Sequence, residues 1–328
     1  MVLSTDLVHE RILQSVRETA SDGCTKLAFQ AMGTQCEITF VPPAPAQAKE
    51  FKRAVLRWVA EFEAKYSRFI TTSLIGQINA AAGKEWVAVD AETDRLFTLC
   101  GELYAFTGGA FDPTALPLLK VWNWKAQPPV LPSADVINAA RNLTGWHKVQ
   151  RQPGAIFLPE AGMGLDLGGI GKEYAVDCAA ELARNHGINH VLVDFGHDVL
   201  ARGQPPHKPA WHIGLEDPRH PGTCWTGIAA RDLAVATSGN YLRQFEINGR
   251  RYGHILDPRT GYPVSNDSES VTILAPSCTV AGALSTTAFI LGAEAGLRLI
   301  ESHPQADGCI ITRRQHHETR RFHAYVTR

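Results

Sequence analysis

Met163-Gly164-Leu165-Asp166-Leu167-Gly168-Gly169-Ile170-Gly171-Lys172-Glu173-Tyr174-Ala175-Val176-Asp177-Cys178 is the run from which the remainder of the chain is read. Residues 163–167 alternate apolar side chains with small or polar ones, which predicts a short strand. Three glycines in the four positions 168–171 let the backbone bend sharply or approach a ligand closely. A helix is predicted from Lys172, with Tyr174, Ala175, Cys178, Ala179 and Leu182 on one face and Gly187 at its left-handed cap. Backbone N–H groups and the positive end of the dipole at such a helix start favour phosphate. Taken alone, the pattern suits a tight strand-to-helix connection equally well. A Walker A loop is excluded by the glycine spacing and by Glu173, which stands where a Ser or Thr would hold magnesium. The dinucleotide fingerprint is excluded because no opening βαβ unit precedes the run.

With 328 residues, 45% of them hydrophobic and 20% charged, the chain can bury an ample core as one large domain or two small ones. A net charge of −1 gives no bulk attraction to nucleic acid or to an anionic membrane. The seven cysteines are scattered without a Cys-x-x-Cys pair, a pattern of reduced core thiols rather than of a disulfide frame or a zinc site. Charged residues interrupt positions 1–23, and Cys24 follows no apolar run that would make it a lipid-anchor site. No later segment is apolar for long enough to span a bilayer. These features lead us to expect a cytoplasmic protein with neither a membrane nor a nucleic-acid partner.

Along the chain, residues 5–19 read as a short charged helix outside the main core. Cys36, Ile38 and Phe40 alternate as one face of a strand over 34–41. After a Pro-rich loop at 42–46, Phe51, Ala54, Val55, Trp58 and Phe62 mark an amphipathic helix ending near Tyr66. Leu96, Leu99, Leu103 and Phe106 mark a second helix, closed by Gly108-Gly109. Phe111-Asp112-Pro113-Thr114 follows; an Asp before Pro is held extended, which serves a plain turn or fixes a carboxylate in a site. Residues 125–132 read as a Pro-rich loop, and Ser133 caps a helix running to Leu143. Val191–Phe195 reads as a buried strand leading into Gly196-His197-Asp198, and Phe245–Leu256 as a hairpin turning at Asn248-Gly249. Two helices, 281–291 and 293–302, meet at Gly292. His316-His317 lies in a charged stretch and reads as solvated rather than metal-bound. Without a repeat or an obvious linker, the chain divides into an N-terminal charged helical extension, 1–27, and a single domain, 28–328. No Gly-x-Ser-x-Gly elbow or His-Glu-x-x-His helix appears, which sets aside serine hydrolases and zincins.

In chain order the sequence carries Ala31-Met32-Gly33-Thr34, Tyr66-Ser67-Arg68-Phe69, Phe111-Asp112-Pro113-Thr114, Asp166 to Lys172, Phe195-Gly196-His197-Asp198, Thr237-Ser238-Gly239-Asn240-Tyr241, His254 to Gly261, and Ala281 to Gly292. Together these segments resemble the FAD:protein FMN transferases, the ApbE-type flavin transferases, over most of the chain from Phe29 to Tyr325. The resemblance implies an α+β fold of two packed αβ halves with FAD bound between them. It implies transfer of FMN from FAD to a Thr or Ser hydroxyl of a target flavoprotein, with release of AMP and magnesium at the diphosphate. Such chemistry rests on positioning and charge neutralisation, and no side chain is assigned as catalytic nucleophile. By position, Met32, Phe69, Ala110, Phe111 and Asp112 would line the flavin. Gly168, Lys172, Asp198, His254 and Ile255 would contact the rest of the cofactor, and the Gly171 carbonyl and Thr286 hydroxyl would face the metal.

This sequence departs from the family pattern at three places. Ala281-Gly282-Ala283-Leu284 replaces Ala-Asp-Ala-Leu, whose Asp is a metal ligand. Gly196-His197-Asp198 replaces Gly-Gly-Asp, and Lys172-Glu173-Tyr174 replaces Lys-Gly-Tyr. Nothing acidic lies within residues 278–286, so metal binding is expected to be weak and to be strengthened by Gly282→Asp. Two alternatives remain at this point: an FAD-binding homologue with weakened or lost transfer, and a pyrophosphatase in which water replaces the acceptor hydroxyl.

Overall fold

Nine antiparallel strands form one sheet whose spatial order follows chain order. They are β1 (Arg17–Ser21), β2 (Cys24–Ala31), β3 (Thr34–Phe40), β4 (Val191–Phe195), β5 (Asp198–Arg202), β6 (Leu233–Gly239), β7 (Ser268–Ala275), β8 (Asp307–Thr312) and β9 (His316–Glu318). The helices are α1 (Thr5–Ser15), α2 (Pro45–Tyr66), α3 (Leu74–Ala80), α4 (Ala91–Phe106), α5 (Leu116–Val121), α6 (Ala134–Asn142), α7 (Gly171–Asn185), α8 (Cys278–Leu291) and α9 (Ala293–Ser302). The structure, a computed structural model, describes residues 4–123, 130–240, 244–247 and 250–327. The turn expected at Asn248-Gly249, residue Tyr241 and most of the Pro-rich loop at 125–132 lie outside the described residues; the strands 244–247 and 250–253 do pair as a hairpin.

Period-two alternation sends alternate residues of the sheet to opposite faces. Val193, Phe195, Leu200, Ala234, Ala236, Val271 and Ile273 join the main core with the helices. Ala201, Leu233, Val235, Leu274, Cys309 and Ile311 face the other way, against Trp211, Ile228 and Phe322. That second layer includes a small sheet of Trp211–Glu216, Cys224–Ala230 and Val326–Thr327. Helix α8 lies deepest, with eleven of its fourteen residues buried, as suits a helix apolar all round. It packs on β6, β7 and α7, while α7 packs on β4, β5 and α2.

The expected helix stops hold for α2, α4 and α7, and the Ser133 cap holds for α6, while α2 opens inside the loop expected at 42–46. Pro45 opens α2, Asp90 and Ser133 cap α4 and α6, and Gly108, Gly109, Gly187 and Gly292 turn with φ of 59°, 78°, 74° and 81°. Two readings change. The charged helix expected over 5–19 ends at Ser15, buries Val8 and Ile12 in the main core, and gives way to β1, an edge strand paired with β2. The boundary drawn between 27 and 28 therefore falls inside β2. The strand expected over 163–167 is a buried extended segment outside any sheet. The Asn79 side chain takes the place of a neighbouring strand, accepting from Leu165 N–H at 2.6 Å and donating to Leu165 C=O at 3.0 Å, while Asp166 N–H donates to Pro113 C=O.

Candidate active site

The β2–β3 turn, the β4–β5 turn and the end of β6 share one end of the sheet, because antiparallel neighbours return their turns to it. Gly196 N–H donates to Gln35 C=O at 2.9 Å, and a Cβ on Gly196 would stand 2.6 Å from Thr34 Oγ1, so the first two turns are packed together. Met32 and His197 occupy these turns at φ of 52° and 71°, a left-handed conformation uncommon outside glycine. The Met32 turn is held from beneath. Its N–H donates to Glu63 Oε2 at 2.8 Å, and Arg11 from α1 donates to the same oxygen at 2.6 Å.

Helix α7 begins against this end without a side-chain cap. None of Gly168, Gly169 and Gly171 has a positive φ, and only Gly168 is held in a close approach that a side chain would disturb. Gly168 N–H donates to Asp166 Oδ1, and a Cβ on Gly168 would meet that oxygen at 2.7 Å. A Cβ on Gly169 would touch the Phe111 ring at 3.9 Å, which seats the 110–114 segment beside the glycine turn. Within that segment Asp112 Oδ1 accepts from the Thr114 N–H and hydroxyl, the bonding of a local turn, and burial still pushes its carboxyl up. Arg68 ion-pairs with Asp166 and covers the Phe69 ring at 4.2 Å; Phe69 is 71% exposed beside the glycine turn. Behind β6, Asn240 Oδ1 accepts weakly from Ile255 N–H at 3.4 Å, which draws the His254-Ile255 step toward the same end.

The charge of the site is concentrated at Lys172. Its Nζ lies 2.6 Å from Asp198 Oδ2 and 3.4 Å from Glu173 Oε1. Burial works against the ammonium, but the Glu173 and Asp198 carboxylates outweigh it and raise its pKa above the ordinary lysine value. Burial likewise pushes the Glu173 carboxyl up, against the opposing pull of Lys172, and the neighbouring Asp198 carboxyl pushes it the same way. Glu173 is only 6% exposed, and its Oε2 has no hydrogen-bond partner. Of the two metal-facing positions expected from sequence, Gly171 is the first residue of α7, and Thr286 lies on α8 with its hydroxyl 2.9 Å from Ser238 Oγ. Ser238 Oγ also lies 2.9 Å from Ser285 Oγ.

Several of these supports escape a sequence reading. Asp177 of α7 accepts from Ser277 Oγ, Cys278 N–H, Thr279 N–H and Thr279 Oγ1 at 2.6–2.9 Å, so one carboxylate caps α8 from the neighbouring helix. The helix expected from 281 starts at Cys278 behind Ser277, and its carboxylate partner lies a hundred residues earlier in the chain. Glu63 and Asn79 are likewise interior props with no local signal. An acid absent from residues 278–286 arrives from another helix: Glu173 Cγ lies 2.5 Å from where a Cβ on Gly282 would stand.

Two surface clefts, about 800 and 540 Å³, are lined by none of the residues expected to bind cofactor or metal. Among the described residues, no group of three or more His, Cys, Asp or Glu side chains is arranged to hold a metal ion, and no helix is long and apolar enough to cross a membrane.

The ApbE family profile matches residues 32–311. A Treponema pallidum protein named FAD:protein FMN transferase is 31% identical over 297 residues, 85% of this chain and 82% of its own length. A Vibrio cholerae protein of the same name is 31% identical over 291 residues, covering 86% and 87%. Among solved structures, the flavin transferase ApbE from Vibrio cholerae superposes with a TM-score of 0.83 at 26% identity, covering 94% of this chain and 99% of that one. The ApbE protein from Thermotoga maritima superposes with a TM-score of 0.84 at 31% identity, covering 96% and 100%. The sheet, the glycine-flanked start of α7 and the motifs gathered around it are thus those of an α+β flavin-transferase fold, and the chain belongs to the ApbE family.

Proposed function

We propose that this protein moves the FMN portion of FAD onto a Thr or Ser hydroxyl of a target flavoprotein, with AMP as the leaving product and magnesium at the diphosphate. The name shared by its curated relatives supports the reaction class. The observation that carries it on this chain is the uncapped start of α7, where a glycine turn and a charged Lys172 stand together. In this reading Met32, Phe69, Ala110, Phe111 and Asp112 line the flavin. Gly168, Lys172, Asp198, His254 and Ile255 meet the remainder of FAD.

The reaction makes one P–O bond and breaks another. The acceptor oxygen attacks the phosphorus of the FMN half, the bond from that phosphorus to the bridging oxygen breaks, AMP departs with the bridging oxygen, and the acceptor proton passes to solvent water. Negative charge grows on the leaving phosphate, which the α7 N–H groups and the Lys172 ammonium would stabilise in this reading. Gly168 folds tightly against Asp166 ahead of the helix start, and the Asp198 contact holds the Lys172 chain in one position. Two buried carboxylates beside one lysine would repel a diphosphate, and the unpartnered Glu173 oxygen fits a site shared with a cation. Bound magnesium would neutralise phosphate charge at that place. Reduced, unpaired cysteines suit the cytoplasmic setting we infer.

The test incubates the purified protein with FAD, magnesium and candidate target flavoproteins and follows flavin fluorescence in the denatured target band. Fluorescence that survives denaturation and disappears when the acceptor Thr is changed to Ala supports transfer. Intact FAD and an unlabelled target refute it.

A further inference from the structure

The Gly282–Glu173 contact joins two of the three departures from the family pattern into one exchange. Gly282 occupies α8 one turn before Thr286, facing α7. A side chain at 282 would collide with Glu173, at 2.5 Å from Cγ and 3.1 Å from Cδ. The space opened by the glycine is therefore filled by the Glu173 side chain. Its Oε1 faces Lys172, and its Oε2 is buried with no partner among protein groups. Asp198, 7% exposed, already occupies Lys172 at the shorter distance of 2.6 Å. One ammonium thus stands beside two buried carboxyl groups that also press on each other, and Glu173 Oε2 accepts no hydrogen bond. A buried carboxylate oxygen without a donor is costly, and an arriving cation relieves that cost directly.

Resting on the transferase reading above, we infer that Glu173 supplies from α7 the carboxylate ligand for the divalent cation at the FAD diphosphate, with Gly282 as the vacated position that admits it. Magnesium takes near-octahedral oxygen ligation and is commonly held by one or two carboxylates together with substrate phosphates. One free carboxylate oxygen, the Thr286 hydroxyl and the Gly171 carbonyl would supply part of such a shell, with the diphosphate supplying more. Cation binding is then coupled to FAD. Gly282→Asp alone does not strengthen it, because the new side chain displaces the carboxylate already in place; this reverses the expectation drawn from residues 278–286.

Mn2+ serves as the probe, with the free ion read by electron paramagnetic resonance in the presence and absence of FAD. FAD binding in EDTA is measured separately by flavin fluorescence, and thermal melting reports folding. Wild type binds Mn2+ when FAD is present. Glu173→Gln weakens that binding by roughly 10- to 100-fold, the scale seen when a supporting ligand is lost, without weakening metal-free FAD binding. The double variant Glu173→Gly, Gly282→Asp returns the carboxylate from the other helix and recovers most of the lost affinity. Gly282→Asp alone gives no gain. A folded Glu173→Gln protein that holds Mn2+ as tightly as wild type overturns the role of Glu173 and leaves the transferase reading standing. A wild-type protein that binds FAD but no Mn2+ overturns both the Glu173 role and the metal-dependent reading beneath it.

Discussion

Lys172 is shared between Asp198 and Glu173, so its substitution acts on both cofactor and protein. A charge-assisted hydrogen bond contributes about 1.5–3 kcal/mol, so Lys172→Ala is expected to weaken FAD by roughly 10- to 150-fold. FMN, which lacks the second phosphate, should lose less. Calorimetric titration of the variant with both ligands checks this, and equal losses would place Lys172 away from the diphosphate. The melting temperature should fall as well, because two buried carboxylates lose their common cation. At this scale the resemblance offered Lys172, Asp198 and Thr286 as site residues, and the structure brings Lys172 and Asp198 together at 2.6 Å. The sequence could not place Glu173, because the contact with Gly282 spans more than a hundred residues and depends on how two helices face each other.

Between elements, the α7–α8 pair carries the site, and Asp177 ties the two together with four accepted hydrogen bonds. Loss of a helix cap costs about 0.5–2 kcal/mol, and this carboxylate caps α8 while also anchoring it to α7. Asp177→Ala should therefore reduce unfolding stability at or above the top of that range in denaturant titration, with a matching drop in FAD affinity as the helices lose register. A loss below about 0.5 kcal/mol would show that α8 is seated by packing alone. Helices were the most readable elements because their caps and glycine stops are local: Ser133, Gly108, Gly187 and Gly292 all behave as their chemistry requires. The 163–167 segment was misread as a strand for the converse reason. Alternation reports which side chains are buried, whereas the choice between a strand and Asn79 as hydrogen-bond partner is made by tertiary contacts.

For the molecule as a whole, the sheet order simply repeats the chain order, so the α+β class followed from strands and helices recognised one by one. The inclusion of α1 and β1 was not legible, because their charged and exposed positions conceal the two residues, Val8 and Ile12, that enter the core. Acid stability also belongs to this scale. At Asp90, burial opposes the charge, but Lys65 and Thr93 outweigh it and hold the carboxyl at about 2, below its ordinary 3.8. A depressed folded-state pKa stabilises fully above the unfolded value, and the contribution is lost as pH falls from about 3.8 through 2. Asp90 is largely exposed, so screening keeps the contribution within about 1 kcal/mol. Asp90→Asn should accordingly flatten the pH dependence of stability between pH 4 and 2 in acid denaturation followed by circular dichroism. An unchanged slope would remove Asp90 from the acid response.

The central claim is the fate of the two halves of FAD, and it is tested by counting them in one reaction. The measurement quantifies AMP released, by chromatography, against flavin added to the target, by intact-protein mass, with magnesium present and again with EDTA. The account predicts one AMP for each FMN attached and neither product in EDTA. AMP and free FMN accumulating over an unmodified target would contradict it.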